Sequence, residues 1–308
     1  MLRITADIFS GRPNPVWEVS DELEVRATLR ALTADRGLLT DAAPPESGLG
    51  FRGFRVEVLS DELAQDFGVD AATYLAVGQQ AGSPRAAEVG DRLVSLIEPG
   101  DPHTAADAPP LDVPLKDFLS EQLGLAAALE SQSRASLADQ AAPPAAEAAA
   151  PAVTCTIEFG AFNPGFWNND PNVRLNNNCY NYASNWRTNT FAQPGRGCGH
   201  MYTAITCAEV TRGAICDGMH RRFDCFPDSE KPRYLVALVV APGPGFRDYH
   251  WYRKQKEGFW GHKPGGTEAR NWDESHNVIT NPETANRGPY TIFCGYFYGC
   301  HSQQLRIK

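Results

Sequence analysis

The chain has 308 residues, of which 42% are hydrophobic and 21% charged, with a formal net charge of −9. That profile belongs to a folded globular protein long enough for two ordinary domains, not to a disordered chain. There is no run of about 18 apolar residues to predict a membrane span, and the acidic balance excludes nucleic acid as the main partner, because phosphate contacts need concentrated Lys and Arg.

The charge is unevenly divided. Residues 1–154 carry 11 Lys+Arg against 24 Asp+Glu, and residues 155–308 carry 17 against 13. Halves that differ this much in kind predict two domains. Met1–Asp7 alternates as a half-buried strand and lacks the basic stretch and apolar core of a signal peptide. The destination is therefore left open; export would use a route without a recognisable signal.

In chain order, Leu2, Ile4, Ala6 and Ile8 predict a strand, which SGRPNP at 10–15 ends in a turn. The segment SGRPNPVW reads as that turn followed by a buried Trp17. Ser20, Asp21 and Glu22 predict a helix start, with Val25, Leu29 and Leu32 on its inner face. Residues 51–59 read as a second strand. Helices are predicted over 86–97, with Val89, Leu93 and Leu96 inward, and over 115–129. The lone His103 sits in a Pro- and Asp-rich loop and is assigned no chemistry. An α+β domain of unassigned role over 1–132 is thus expected. Residues 133–153, in which Ala and Pro predominate, read as a tether.

Beyond the tether, all eight cysteines appear in a second domain over 154–308. The 159–167 segment reads as an aromatic loop. Helices are predicted from Tyr180 and over 201–220. A buried strand is predicted over 234–240, and two more, at 245–253 and 258–263, form a hairpin.

Cys179 follows Asn176–Asn177–Asn178, so a helix starting here would be capped by Asn178 and hold the thiol in its first turn. A helix N-terminus lowers a thiol pKa, and the thiolate is the nucleophile. Asn176 or Asn177 could complete an oxyanion hole with the Cys179 amide. The base would be His250 in DYHWYR, oriented by His262 in WGHKP across the hairpin. Asn271, Asp273 and His276 are reserve candidates for the orienting role, and His200 for the base. Trp251, with Trp167, Tyr180, Tyr182 and Trp260, could line a substrate groove.

This order of Cys at a helix start, His on a strand and His on the next strand resembles the NlpC/P60 branch of the papain-like cysteine peptidases, over roughly residues 170–265. The resemblance implies a papain-like α+β domain without cofactor. Cys179 would be nucleophile, His250 base and His262 the third polar residue, acting on a peptide or amide bond through a thioester. The cysteine of that family is usually preceded by Asp and followed by Ser-Gly. Here the sequence is Asn-Cys-Tyr-Asn, which sets the family's peptidoglycan substrate aside. A bacterial effector or toxin is one setting for such chemistry.

The alternative expectation is a non-catalytic, disulfide-stabilised secreted binding module in which the cysteines are structural and the aromatic and Asn-rich loops hold glycan or protein. Cys198, Cys207, Cys216 and Cys225 are nine residues apart, too far for the paired knuckles of a tetrahedral zinc site. Disulfides are favoured instead, Cys294–Cys300 among them; connectivity is otherwise unreadable, as are substrate and oligomeric state.

Overall fold

The structure is a computed structural model that describes residues 1–45, 47–77, 83–98, 110–132 (backbone only for 128–132), 156–221 and 227–308. The expected tether at 133–153, His103, Cys155 and Cys225 lie outside these. Among the described residues the fold is mixed α+β, with two five-stranded antiparallel sheets. The chain divides into two units. The first comprises 1–9, 13–132 and 244–246; the second comprises 10–12, 156–221, 227–243 and 247–308. The division is therefore not a single cut in the sequence. Among the described residues no helix is long and apolar enough to cross a membrane.

The first unit contains β1 (Leu2–Asp7), β2 (Val16–Val19), α1 (Glu22–Thr33), β3 (Leu39–Thr40), β4 (Gly53–Val58), α2 (Asp61–Phe67), β5 (Ala72–Ala76), α3 (Pro84–Ser95) and α4 (Val113–Gln132). Its sheet order is β2-β1-β4-β5-β3. Alternation decides the buried face: Leu2, Ile4 and Ala6 of β1 are fully buried, as are Phe54 and Val56 of β4. Trp17 is buried on β2 and meets Phe54 edge-on. Asp21 caps α1 by accepting from Glu24 N, and Val25, Leu29 and Leu32 are its inner face. In α3, Ser83 caps and Pro84 begins the helix, and the inward residues include Val89, Leu93 and Val94, with Ile97 buried just past its end. Leu96, expected inward, is only partly buried because the helix ends at Ser95 and Leu96 is its C-cap. At Gly90 an added Cβ would stand 2.6 Å from Leu123 Cδ2, so glycine is what allows α3 and α4 to approach.

The end of β1 is held by a polar cluster. Arg52 donates to Asp7 at 2.6 Å and to the Phe9 carbonyl, Tyr74 Oη donates to the other Asp7 oxygen, and Asn14 Nδ2 bonds Asp7 while its Oδ1 accepts from the Ile8 and Phe9 amides. Burial works against the Asp7 charge, but the Arg52 guanidinium and these donors outweigh it and hold the carboxyl below its usual pKa.

The second unit contains α5 (Gly165–Asn168), α6 (Pro171–Asn176), α7 (Cys179–Ser184), α8 (Cys207–Cys216), β6 (His220–Arg221), β7 (Tyr234–Pro242), β8 (Arg247–Lys254), β9 (Trp260–His262), β10 (Ile292–Gly299) and α9 (His301–Gln304). The sheet order is β6-β10-β7-β8-β9. β7 is the apolar central strand, its residues 236–241 all buried. Its core joins Val236, Leu238 and Val240 to Tyr249 and Trp251 of β8, Cys179 and Tyr180 of α7, and Val210 and Ala214 of α8. The helix expected over 201–220 is restricted to α8, because Thr206 caps it and Gly218 (φ 110°) follows its end.

Two disulfides are present among the described residues, Cys198–Cys216 and Cys207–Cys294. The expected Cys294–Cys300 bridge does not form. Residues 294–299 run extended along β10, and six residues of strand separate the two α-carbons by roughly 20 Å, far beyond a disulfide's reach. Cys300 is instead a free thiol that donates to the Gly218 carbonyl.

Candidate functional site

Asn178 caps α7. Its Oδ1 accepts from the Tyr180 and Asn181 amides at 3.1 Å, and Asn181 Oδ1 returns a bond to the Asn178 amide, completing a capping box. Cys179 is therefore the first residue of the helix, a free thiol that is fully buried. Its Sγ lies 3.9 Å from the Tyr249 carbonyl, and the Trp251 amide approaches the same sulfur. Tyr249 and Trp251 flank His250, so the sulfur is seated on the strand backbone at His250. This place is open because β9 pairs with β8 only from Tyr252 to Lys254.

β8 alternates sharply. Tyr249 and Trp251 face the core cluster. Asp248, His250 and Tyr252 point to the opposite face, where Asp248 meets Tyr290 and His250 meets Tyr252 and Tyr290. Register places His262 directly across from Tyr252, with the two rings stacked, and so makes it the diagonal neighbour of His250. His250 Nε2 and His262 Nδ1 are 2.8 Å apart, and His262 Nε2 is 2.9 Å from the Trp272 carbonyl.

That chain assigns the tautomers. A carbonyl only accepts, so His262 Nε2 carries a proton. Burial, reinforced by the Arg270 charge, pushes the His262 pKa well below its usual value despite the Trp272 carbonyl, so the ring is neutral and Nδ1 is an acceptor. His250 must then donate through Nε2. Arg270 Nε also lies 3.3 Å from His262 Nε2. The two contacts compete for one nitrogen; the shorter one to the carbonyl decides the tautomer, and Arg270 acts there through its charge.

The other expected residues are placed differently. Asn176 spends both amide hydrogens on Asn172 O and Oδ1. Asn177 spends its own on Val173 O and Asn189 Oδ1, while its Oδ1 accepts from the Thr188 and Asn189 amides. Asn176 thus bonds back within α6, and Asn177 ties α6 to the loop at Thr188–Asn189. Trp251 packs on Tyr180 and Phe297 inside the core, so it lines no groove. Asp273 accepts from the Ser275, Asn277 and Asn286 amides, and the His276 ring stacks on Trp272. Asn271 supplies its carbonyl to the Ile279 amide. The ring nitrogen 2.8 Å from His250 Nε2 belongs to His262 and to none of these three.

Sequence reasoning passed over Asp248, Gln193, Lys263 and Ser10–Gly11–Arg12. Lys263 is buried and gives its ammonium to the carbonyls of Arg174, Asn177 and Gly265. Asp248 is fully buried and accepts from Ser10 N at 2.6 Å, Arg12 N at 3.0 Å and Tyr290 Oη at 2.5 Å. Burial lifts its pKa against the pull of these donors. Around Cys179, burial comes first and the Asp248 charge second in pushing the thiol pKa well up; the Trp251 amide and Lys263 oppose them and lose. Burial thus works against the thiolate, the form a nucleophile needs.

No family model matches the chain, and no solved structure does. The chain is 48% identical over 135 residues to insoluble matrix shell protein 1 of Ruditapes philippinarum, a match covering 44% of this chain and 86% of that protein.

Proposed function

Because this chain belongs to the family of insoluble matrix shell protein 1, we propose that it is a non-catalytic, disulfide-stabilised secreted binding module that joins an insoluble extracellular matrix. The observation that carries this reading is the state of the thiol site. Cys179, His250 and His262 have no exposed surface, and burial works against the thiolate. Two disulfides in the same unit fit an oxidising destination. The second unit also keeps large aromatic side chains in solvent, Phe166 at 41% and Trp186 at 42% exposure, with the Arg187 guanidinium stacked over the Phe166 ring at 3.3 Å. Rigid aromatic faces beside a cation suit glycan rings and peptide alike. The test is cosedimentation of the full chain with demineralised, insoluble shell matrix. Retention that falls in Phe166→Ala/Trp186→Ala, with unfolding unchanged, supports the reading; a chain that stays in the supernatant sinks it.

A second reading is favoured by one specific arrangement, the hydrogen-bonded chain from the Trp272 carbonyl through His262 to His250, on the strand whose backbone seats the free Cys179 of a capped helix. In this reading the domain is papain-like and NlpC/P60-like, and the chain is a cysteine hydrolase or acyltransferase. His250 takes the thiol proton and Sγ attacks an amide carbonyl. The amine then leaves with that proton, and water or an amine resolves the Cys179 thioester. A peptidyl vinyl sulfone separates the two readings. Adduct on Cys179 that is lost in His250→Ala supports turnover; no adduct on the folded chain supports the binding module.

A further inference from the structure

Within the second unit, the tripeptide Ser10–Gly11–Arg12 is gripped through its main chain by groups far away in sequence. Three consecutive amides converge on one buried carboxylate: Ser10 N, Gly11 N (3.2 Å) and Arg12 N all donate to Asp248. This is a backbone nest closed around an anion, with the anion supplied by the protein. On the other side, the Gly11 carbonyl accepts three donors, Asn178 Nδ2 and Gln193 Nε2 at 2.8 Å and Tyr249 Oη at 3.0 Å. The Ser10 carbonyl accepts from the Gly265 and Cys179 amides at 3.1 and 3.4 Å.

These donors are positioned by bonds of their own. Asn178 also bonds the Ala192 carbonyl and caps α7. Gln193 Oε1 is fixed by the Tyr202 hydroxyl. Tyr290 Oη donates to Asp248 Oδ2, the oxygen that also accepts from Ser10 N. The site is thus organised by residues that do not belong to the tripeptide. Side-chain identity enters at one position. A Cβ on Gly11 would stand 2.4 Å from Tyr249 Cε2 and 2.5 Å from the Tyr249 carbonyl, so only glycine fits.

We propose that Asp248, Tyr249, Asn178 and Gln193 form a receptor for peptide main chain that takes a glycine-centred bend, and that Ser10–Gly11–Arg12 is its resident occupant. Main-chain bonds supply the affinity and the Tyr249 wall supplies the specificity. A vacated receptor would leave a buried carboxylate without its donors, which is costly, so the site stays filled unless another glycine-containing segment replaces the first. This inference stands whether the unit binds a matrix or turns over a substrate.

The test is hydrogen exchange on the full chain, with a synthetic peptide of the sequence Ile-Phe-Ser-Gly-Arg-Pro-Asn-Pro and its Gly→Ala analogue. The amides of residues 10–12 should exchange as slowly as those of β7. Excess glycine peptide should speed their exchange, and the alanine analogue should not. In Asp248→Asn the same amides should exchange about tenfold to a hundredfold faster, the loss expected for hydrogen bonds to a charged group, with β7 unchanged. In Gly11→Ala, whose resident segment no longer fits, the labelled glycine peptide should bind more tightly than it does to the native chain. Open-loop exchange of residues 10–12 in the native chain overturns the proposal, as does equal competition by the two peptides or by neither. The native-chain arms decide the matter even where a variant fails to fold.

Discussion

The Cys207–Cys294 bridge closes 87 residues of sequence and Cys198–Cys216 closes 18. If both act by restricting the unfolded chain, loop closure makes the first worth about 4.6 kcal/mol and the second about 3.2 kcal/mol. Replacing each pair by alanine, both cysteines at once so that no odd thiol is created, should therefore destabilise the second unit in that order, with a gap of about 1.4 kcal/mol. Urea unfolding followed by tryptophan fluorescence is the assay, because five of the six tryptophans (167, 186, 251, 260 and 272) lie in the second unit. Equal slopes in urea would show that the compared unfolded states expose similar surface. The reasoning is refuted if the short-loop pair costs more, or if both losses fall below about 1 kcal/mol, at which point the bridges would not be stabilising the fold.

Three further outcomes are expected. Asp7 titrates below its usual range in the folded chain, so its contribution is present above the unfolded carboxyl pKa of about 3.9 and is lost as pH falls through the lower folded value; Asp7→Asn should flatten that acid limb in Trp17-reported unfolding. His262 titrates well below its usual range, so protons favour the unfolded chain below about pH 6.5 and stability should drop there by up to about 1.4 kcal/mol per pH unit; His262→Asn should abolish that slope in pH-dependent urea melts. Gly90→Ala should destabilise the first unit by about 1–3 kcal/mol through overpacking against Leu123 and Phe54, measured by hydrogen exchange of α3; a neutral result would contradict the packing argument.

Local signals in the sequence account for much of the fold. Alternation at residues 2–8, the cap at Asp21 and the apolar run of β7 each carry enough side-chain pattern to be read. Other elements leave weaker traces. β10 loses its alternation at the irregularity between Phe293 and Gly295 (φ 119°). α2 buries none of its residues, so it has no periodic stripe to detect. In the candidate site, the Asn178 cap and the His250 and His262 strands were legible because each depends on near neighbours. The bonds that Asn176 and Asn177 make to α6 and to Asn189, four to twelve residues away, depend on how the chain turns after α6, which the run of three asparagines does not reveal. The Asp248 grip on Ser10–Arg12 joins residues more than 230 apart in sequence, and no local pattern announces it. SGRPNPVW did read correctly as a turn before a buried Trp17, yet the turn also places Ser10–Arg12 in the second unit.

The most direct measurement is the labelling of Cys179 in the native chain by iodoacetamide without reductant, read by mass spectrometry across neutral pH and compared with the denatured chain. The account predicts that Cys179 stays unmodified while folded, labels fully once unfolded, and is never found in a disulfide. Rapid labelling of the folded chain at neutral pH, slowed by His250→Ala, would contradict the sealed-thiol account and favour the hydrolase.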